Sequence, residues 1–323
     1  MKPLSTRLTE FFNIDHPILS APMALAAGGR LASAVTRAGG LGFIGGGYGD
    51  ADWLTNEFAQ AGNTAVGCGF ITWSLTQKPE LLEQVLDRKP QALFLSFGDP
   101  KPFATAISDA GVPLICQVQS LRDACHAVDC GAKVIIAQGA EAGGHGEKRA
   151  TMTIVPEVAD MLARSAPDTL LVAAGGIADG RGLAASLMLG ADGVLVGSRL
   201  WASEEALVHP NMLQAAIKAT GDDTIRSSVM DLARLLKWPN RYTARVLKNP
   251  FTERWHDDLE GLMADQSAQA EMWGKAWQEG NVEIANTFVG EGTGMIKDVR
   301  PAADIIEEMV SQAVTCLRRF SAV

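Results

Sequence analysis

VIIAQGAEAGGHGE, residues 134–147, decides the reading of the fold: an apolar, β-branched run empties into a glycine-rich loop that holds one histidine, His145. The same unit recurs as LLVAAGGIADGRG at 170–182 and as GVLVGSR at 193–199. Short apolar runs bounded by glycine read as strands buried on both faces. Working outward, comparable runs lie at 17–21, 41–44, 65–70, 92–96, 113–118, 133–137, 169–173 and 193–196, with helical spacing between most of them. Strands alternating with helices imply right-handed crossovers and a parallel sheet. Eight such units in about 200 residues fit a closed (β/α)8 TIM barrel better than an open doubly wound sheet. The dinucleotide fingerprint GxGxxG is missing after the first strand, which ends in APMALAAGG at 21–29.

Composition narrows the class. With 323 residues, 47% hydrophobic and 20% charged, the chain has ordinary globular character and room for a barrel with an appendage. No apolar run reaches the ~18 residues of a spanning helix, and the first fifteen residues lack the apolar core of a signal peptide, so no membrane association is expected and cytoplasm is the default compartment. A net charge of −9, without a basic stripe, argues against nucleic-acid partners. The five cysteines show no CxxC spacing, so neither a disulfide framework nor a metal site is expected, and they read as reduced and mostly buried.

From about Glu204 to Asn286 the pattern changes to helical periodicity without strands, as in NMLQAAIKA, VMDLARLLKW and AQAEMWGKAWQEG. The expected division is a barrel formed by 1–203 and 287–323 with a mainly helical insertion at 204–286. Trp238, Trp255, Trp273 and Trp277 lie in that insertion and read as packing residues. A final amphipathic helix from Pro301 to about Arg318 is expected to close the ring of helices.

In such a barrel the site gathers at the C-terminal ends of the strands, and phosphate commonly sits on the last two loops. Gly175 and Gly176 in one loop, with Gly197 and Ser198 in the next, would let backbone N–H groups approach an anion. Arg199 would either neutralise that anion or pair on the surface. His145 lies past the sixth strand among glycines, where a partly neutral imidazole can serve as a base. His16, His126, His209 and His256 read as packed or surface residues. Gln117 and Gln138 end apolar strands; either would bond the edge of a heteroaromatic ring or be a satisfied buried amide. Pro22 and Met23 would offer backbone and apolar contact to such a ring.

Five motifs, APM at 21–23, QGAEAGGHG at 138–146, AAGGIADGRG at 173–182, GADGVLVGSR at 190–199 and GEGTGMI at 290–296, together resemble the nitronate monooxygenase family, formerly the 2-nitropropane dioxygenases. The resemblance covers nearly the whole chain. It implies a (β/α)8 oxidoreductase with noncovalent FMN, the phosphate held at Gly175, Gly176, Gly197 and Ser198. It places the ring near Met23, Gln117, Gln138, Gly143 and Gly144, and makes His145 the catalytic histidine. The implied reaction takes an alkyl nitronate, or a nitroalkane after loss of its α-proton, with O2 to a carbonyl compound and nitrite. A homodimer is left open. Some bacterial members carry an asparagine at the end of strand three, where this chain has GCGFITW at 67–73, so subgroup and substrate preference stay open. The same superfamily contains FMN-dependent NAD(P)H:quinone reductases and FabK-type enoyl reductases, and a flavin-binding protein without turnover is a further alternative.

Overall fold

A computed structural model describes residues 4–319. Six strands come first: β1 (Ile18–Ser20), β2 (Phe43–Gly47), β3 (Gly67–Ile71), β4 (Leu93–Ser96), β5 (Leu114–Val118) and β6 (Val134–Gln138). They are followed by β7 (Gly144–Gly146), β8 (Leu170–Ala174), β9 (Gly193–Val196), β10 (Thr224–Ser227) and β11 (Thr243–Leu247). Eight of them form one parallel sheet in the order β1-β9-β8-β6-β5-β4-β3-β2. The sheet closes on itself, because Leu41 ahead of β2 donates to the Ile18 carbonyl at 3.0 Å and receives the Ser20 N–H at 3.0 Å. This is the expected TIM barrel, and each of the eight sequence-predicted strands coincides with a barrel strand, shifted only at the ends.

Both faces of the barrel wall are buried, and the two-residue period of a strand sorts its side chains between them. Val134 and Ile136 point inward with Leu19, Phe43, Phe94, Ile115, Val172 and Leu195. Ile135 and Ala137 point outward with Leu93, Leu95, Leu171, Ala173, Val194 and Val196, against the surrounding helices. The N-terminal helix Arg7–Phe12 adds Leu8 and Phe12 to the interior layer. Outer helices begin where a side-chain oxygen caps the first free N–H groups: Asp50 accepts from Trp53, Ser120 from Asp123, and Asp179 from Arg181 and Gly182. Helix Ala302–Arg319 packs against helices Gly180–Met188 and Gly29–Arg37 and completes the ring, as its periodicity predicts.

Two expectations change. The 204–286 segment is rich in helices but also holds β10 and β11, which pair antiparallel and extend onto β7 of the glycine loop in the order β10-β11-β7. These strands are short, and β7 gains its conformation only from a partner about a hundred residues away, so no local pattern announces it. The cysteines are not mostly buried either: Cys68 and Cys116 are, whereas Cys125 is exposed and Cys130 and Cys316 are half-buried on outer helices.

Candidate active site

The C-terminal ends of the barrel strands surround a cavity of about 300 Å³. Its wall contains eleven of the residues singled out from the sequence: Pro22, Met23, Gln117, Gln138, Gly143, Gly144, His145, Gly175, Gly176, Gly197 and Ser198. Gly175 and Gly176 adopt φ of +110° and +71°, a left-handed conformation that side chains resist, and so turn the backbone at the end of β8 across the cavity floor. A Cβ on Gly175 would stand 2.7 Å from Thr151 Oγ1, whereas one on Gly197 would meet only Ala21 Cβ at 3.8 Å and otherwise enter open space. Ser198 Oγ accepts the Gly290 N–H at 2.9 Å, which leaves its own proton free for another acceptor.

The loop between β6 and helix Thr151–Ser165 is held from several sides. Glu141 accepts from the Thr151 N–H at 3.0 Å and from its hydroxyl at 2.9 Å. Arg226 and Arg245 both donate to the Ala140 carbonyl, at 3.1 and 3.0 Å. Burial and the neighbouring Arg245 push the Arg226 guanidinium down to about 10, still charged at pH 7. Gln138 receives the Gln119 amide at 2.7 Å and donates to the His145 carbonyl at 3.1 Å, so it is a satisfied amide that tethers the histidine. Gln117, by contrast, makes no side-chain hydrogen bond to protein among the described residues.

His145 is 9% exposed and stacks on Trp238, centroid to centroid 3.4 Å with planes 6° apart. Its Nε2 lies 3.0 Å from each carboxylate oxygen of Asp231, which is 3% exposed. Nδ1 has no protein partner among the described residues and is not sealed off, and the residue lines the cavity. Burial lowers the imidazole's affinity for a proton below its ordinary value, against the opposing pull of Asp231. Burial thus favours the neutral form of the ring. Phe97 meets its edge at 6.1 Å, and Trp238 Nε1 donates to the Tyr48 hydroxyl at 3.1 Å. Arg234 also lines the cavity, its guanidinium 5.2 Å from the Tyr48 ring centroid and 5.6 Å from that of Trp273, with no carboxylate at ion-pair distance among the described residues.

Sequence reading missed Asp231, Trp238, Tyr48, Phe97 and Arg234 as site residues. One signal was present: Asp231 is the only acidic residue in VMDLARLLKW, an otherwise apolar and basic run. Trp238 and Trp277 line the cavity rather than serving only as packing against the barrel, while Trp255 and Trp273 are buried. His209 also lines the cavity, where its Nδ1 accepts the Asn211 N–H at 3.2 Å and caps helix Pro210–Lys218. Arg199 forms an ion pair rather than joining the cavity wall, but not as a surface residue. At 5% exposure it is buried and turned away from the cavity, bonded to Asp298 Oδ1 at 2.6 Å and to its carbonyl at 3.0 Å. Away from the cavity, Asp99, His126 and Cys130 bring donor atoms within 4.8 Å of one another on the surface, a grouping their spacing does not announce.

The nitronate monooxygenase family model matches residues 5–67 and 71–312. A nitronate monooxygenase of Neurospora crassa is 32% identical, covering 98% of this chain and 94% of its own length. One from Metarhizium robertsii is 33% identical, covering 92% and 90%. Among solved structures, FabK from Thermotoga maritima superposes with a TM-score of 0.84 at 31% identity, covering 99% of both chains. With a parallel barrel, a glycine-lined cavity at its C-terminal rim and relatives matched over nine-tenths or more of their length, this oxidoreductase belongs to the nitronate monooxygenase family.

Proposed function

We propose that the cavity holds FMN and that the enzyme oxidises alkyl nitronates, and nitroalkanes after removal of the α-proton, with O2 to a carbonyl compound and nitrite. The phosphate would rest on Gly175, Gly176, Gly197 and Ser198. Met23, Gln117, Gly143 and Gly144 would meet the ring. The residues fit such a group: a side chain at Gly197 would fill the cavity instead of the fold, and Gln117 offers an amide without a side-chain hydrogen bond among the described residues. FMN, when bound, supplies the acceptor through which substrate electrons pass to O2. The protein supplies binding, orientation and the proton chemistry.

One observation carries the reading: His145, held by Asp231 through Nε2 and pushed by burial toward its neutral form, lines the same cavity wall as the Arg234 guanidinium. The imidazole can take an α-proton from a neutral nitroalkane, and the guanidinium attracts the resulting anion. Residues 204–286 would form the substrate side, contributing Arg234, Trp238 and Trp277 to the wall and Asp231 behind His145. A second reading, an FMN-dependent NAD(P)H:quinone or enoyl reductase, is favoured by the close superposition with FabK.

The two readings separate in one experiment on FMN-loaded protein. Oxygen uptake with ethyl nitronate, and slow anaerobic bleaching of the flavin by NADH or NADPH, is the expected result. Fast bleaching without nitronate turnover would replace the first reading by the second. Protein that takes up no FMN would remove both.

A further inference from the structure

We propose that Asp231 is a positioning residue that holds His145 as the Nε2–H tautomer and thereby makes Nδ1 the atom that accepts the substrate's proton. The choice of Nδ1 as base deepens, and rests on, the nitroalkane reading; the tautomer does not. An ionised carboxylate only accepts hydrogen bonds, so the nitrogen that faces both Asp231 oxygens at 3.0 Å must carry the proton. Among the described residues that imidazole is the only hydrogen-bond partner of the Asp231 side chain. Turning the ring over would present a carbon to the carboxylate and strand a buried charge.

The rest of the surroundings permits little else. Trp238 covers one ring face. The register that sets Ala244 of β11 opposite His145 of β7, together with the Gln138 amide on the His145 carbonyl, fixes the backbone beneath the ring. Met230, Ala244 and Val246 form a small apolar cluster beside the pair, so no side chain there offers Asp231 a competing donor. With Nε2 protonated and turned away, the lone pair on Nδ1 points to the cavity.

The step balances without further reactants. The α-C–H bond of the nitroalkane breaks, its electron pair delocalises into the nitro group to give a nitronate anion, and an Nδ1–H bond forms. The imidazolium so produced is neutralised by Asp231 on its other side, which is the reason to place a carboxylate there. A preformed nitronate needs no such transfer.

The test uses the FMN-loaded protein labelled with 15N at histidine. His145 is identified by the signal missing in His145→Gln, and its two ring-nitrogen shifts read the tautomer directly. The expected spectrum is neutral with the proton on Nε2; a proton on Nδ1 would overturn the proposal whatever the enzyme turns over. In parallel, Asp231→Asn should lower turnover of neutral nitroethane by about 100-fold, Asp231→Glu should recover most of it, and oxidation of preformed ethyl nitronate, which needs no proton transfer, should fall by a much smaller factor. Equal turnover of nitroethane by parent and Asp231→Asn would overturn the catalytic half of the proposal. If the parent turns over neither compound, the functional reading fails while the spectrum still decides the tautomer. If Asp231→Asn does not fold, the parent spectrum and the Asp231→Glu kinetics remain decisive.

Discussion

The indole of Trp238 lies flat on the imidazole of His145, 3.4 Å between centroids, although 93 positions separate them in the chain. That contact does two things at once. It holds the ring plane, and it keeps water from one face of a group whose neutrality depends on burial.

Trp238→Ala should therefore act on the histidine before it acts on the fold. With one face hydrated, the penalty on the imidazolium shrinks and the proton affinity of His145 rises toward its ordinary value near 6.5. The acid limb of the nitroalkane kcat/KM profile should move to higher pH, and kcat should fall by about tenfold as the ring loses orientation. An unmoved limb would show that the indole does not control hydration of the base.

The pH dependence of the parent enzyme has a definite sign. The groups facing the ring are Asp231, which raises its proton affinity, and Arg234 and Arg226, which lower it; desolvation dominates. Tyr48 and Tyr242 stand nearby as neutral phenols, both shifted up by burial. The folded-state value lies below the unfolded one, so the basic form is filled above about pH 6.5 and, on the proposed function, nitroalkane turnover should be flat there. It declines only at lower pH. Linkage runs the same way: the unfolded chain takes up a proton near 6.5 that the native histidine refuses, so stability is full above that pH and is lost as pH falls. Melting temperatures from pH 7.5 to 5.5 should fall less steeply in His145→Gln than in the parent.

Gly197 and Gly175 predict opposite costs. Gly197→Ala adds a methyl group that meets only Ala21 Cβ at 3.8 Å, so the melting temperature should barely move while the Kd for FMN rises by about tenfold as the cavity narrows. Gly175→Ala forces a side chain into φ of +110° and against Thr151 Oγ1 at 2.7 Å, and should cost about 1–3 kcal/mol of stability even without flavin. Thermal denaturation and fluorescence titration with FMN separate the two.

Arg234→Leu removes a cavity cation that has no carboxylate partner among the described residues. KM for a preformed nitronate should rise by about tenfold or more while kcat and the Kd for FMN change little, and Arg234→Lys should recover part of the loss. A KM unchanged in Arg234→Leu would mean that the guanidinium serves the aromatic wall of Tyr48, Trp273 and Phe288 instead.

Runs such as VIIAQ and LLVAA are legible because a strand buried on both faces needs no more than a few consecutive apolar residues. The glycines that follow them are legible for the same local reason, since a tight turn past the strand end needs residues free of a Cβ. The position of His145 in such a loop was enough to single it out. The GGH stretch, however, is also a strand, and nothing in it says so until β11 lies alongside.

The order of residues alone was enough to specify the barrel and its eight strands and to single out the glycines and the histidine that line the cavity at one rim, because each of these follows from contacts between near neighbours in the chain. Tertiary structure alone decided which groups tune that histidine. Asp231 lies 86 residues from it and Trp238 further still, and both reach it through the pairing of β7 with β11 and the folding of the 204–286 segment over the cavity. The protonation state and free nitrogen of an imidazole are set by burial and by the single partner across a hydrogen bond, quantities that have no counterpart in the order of residues.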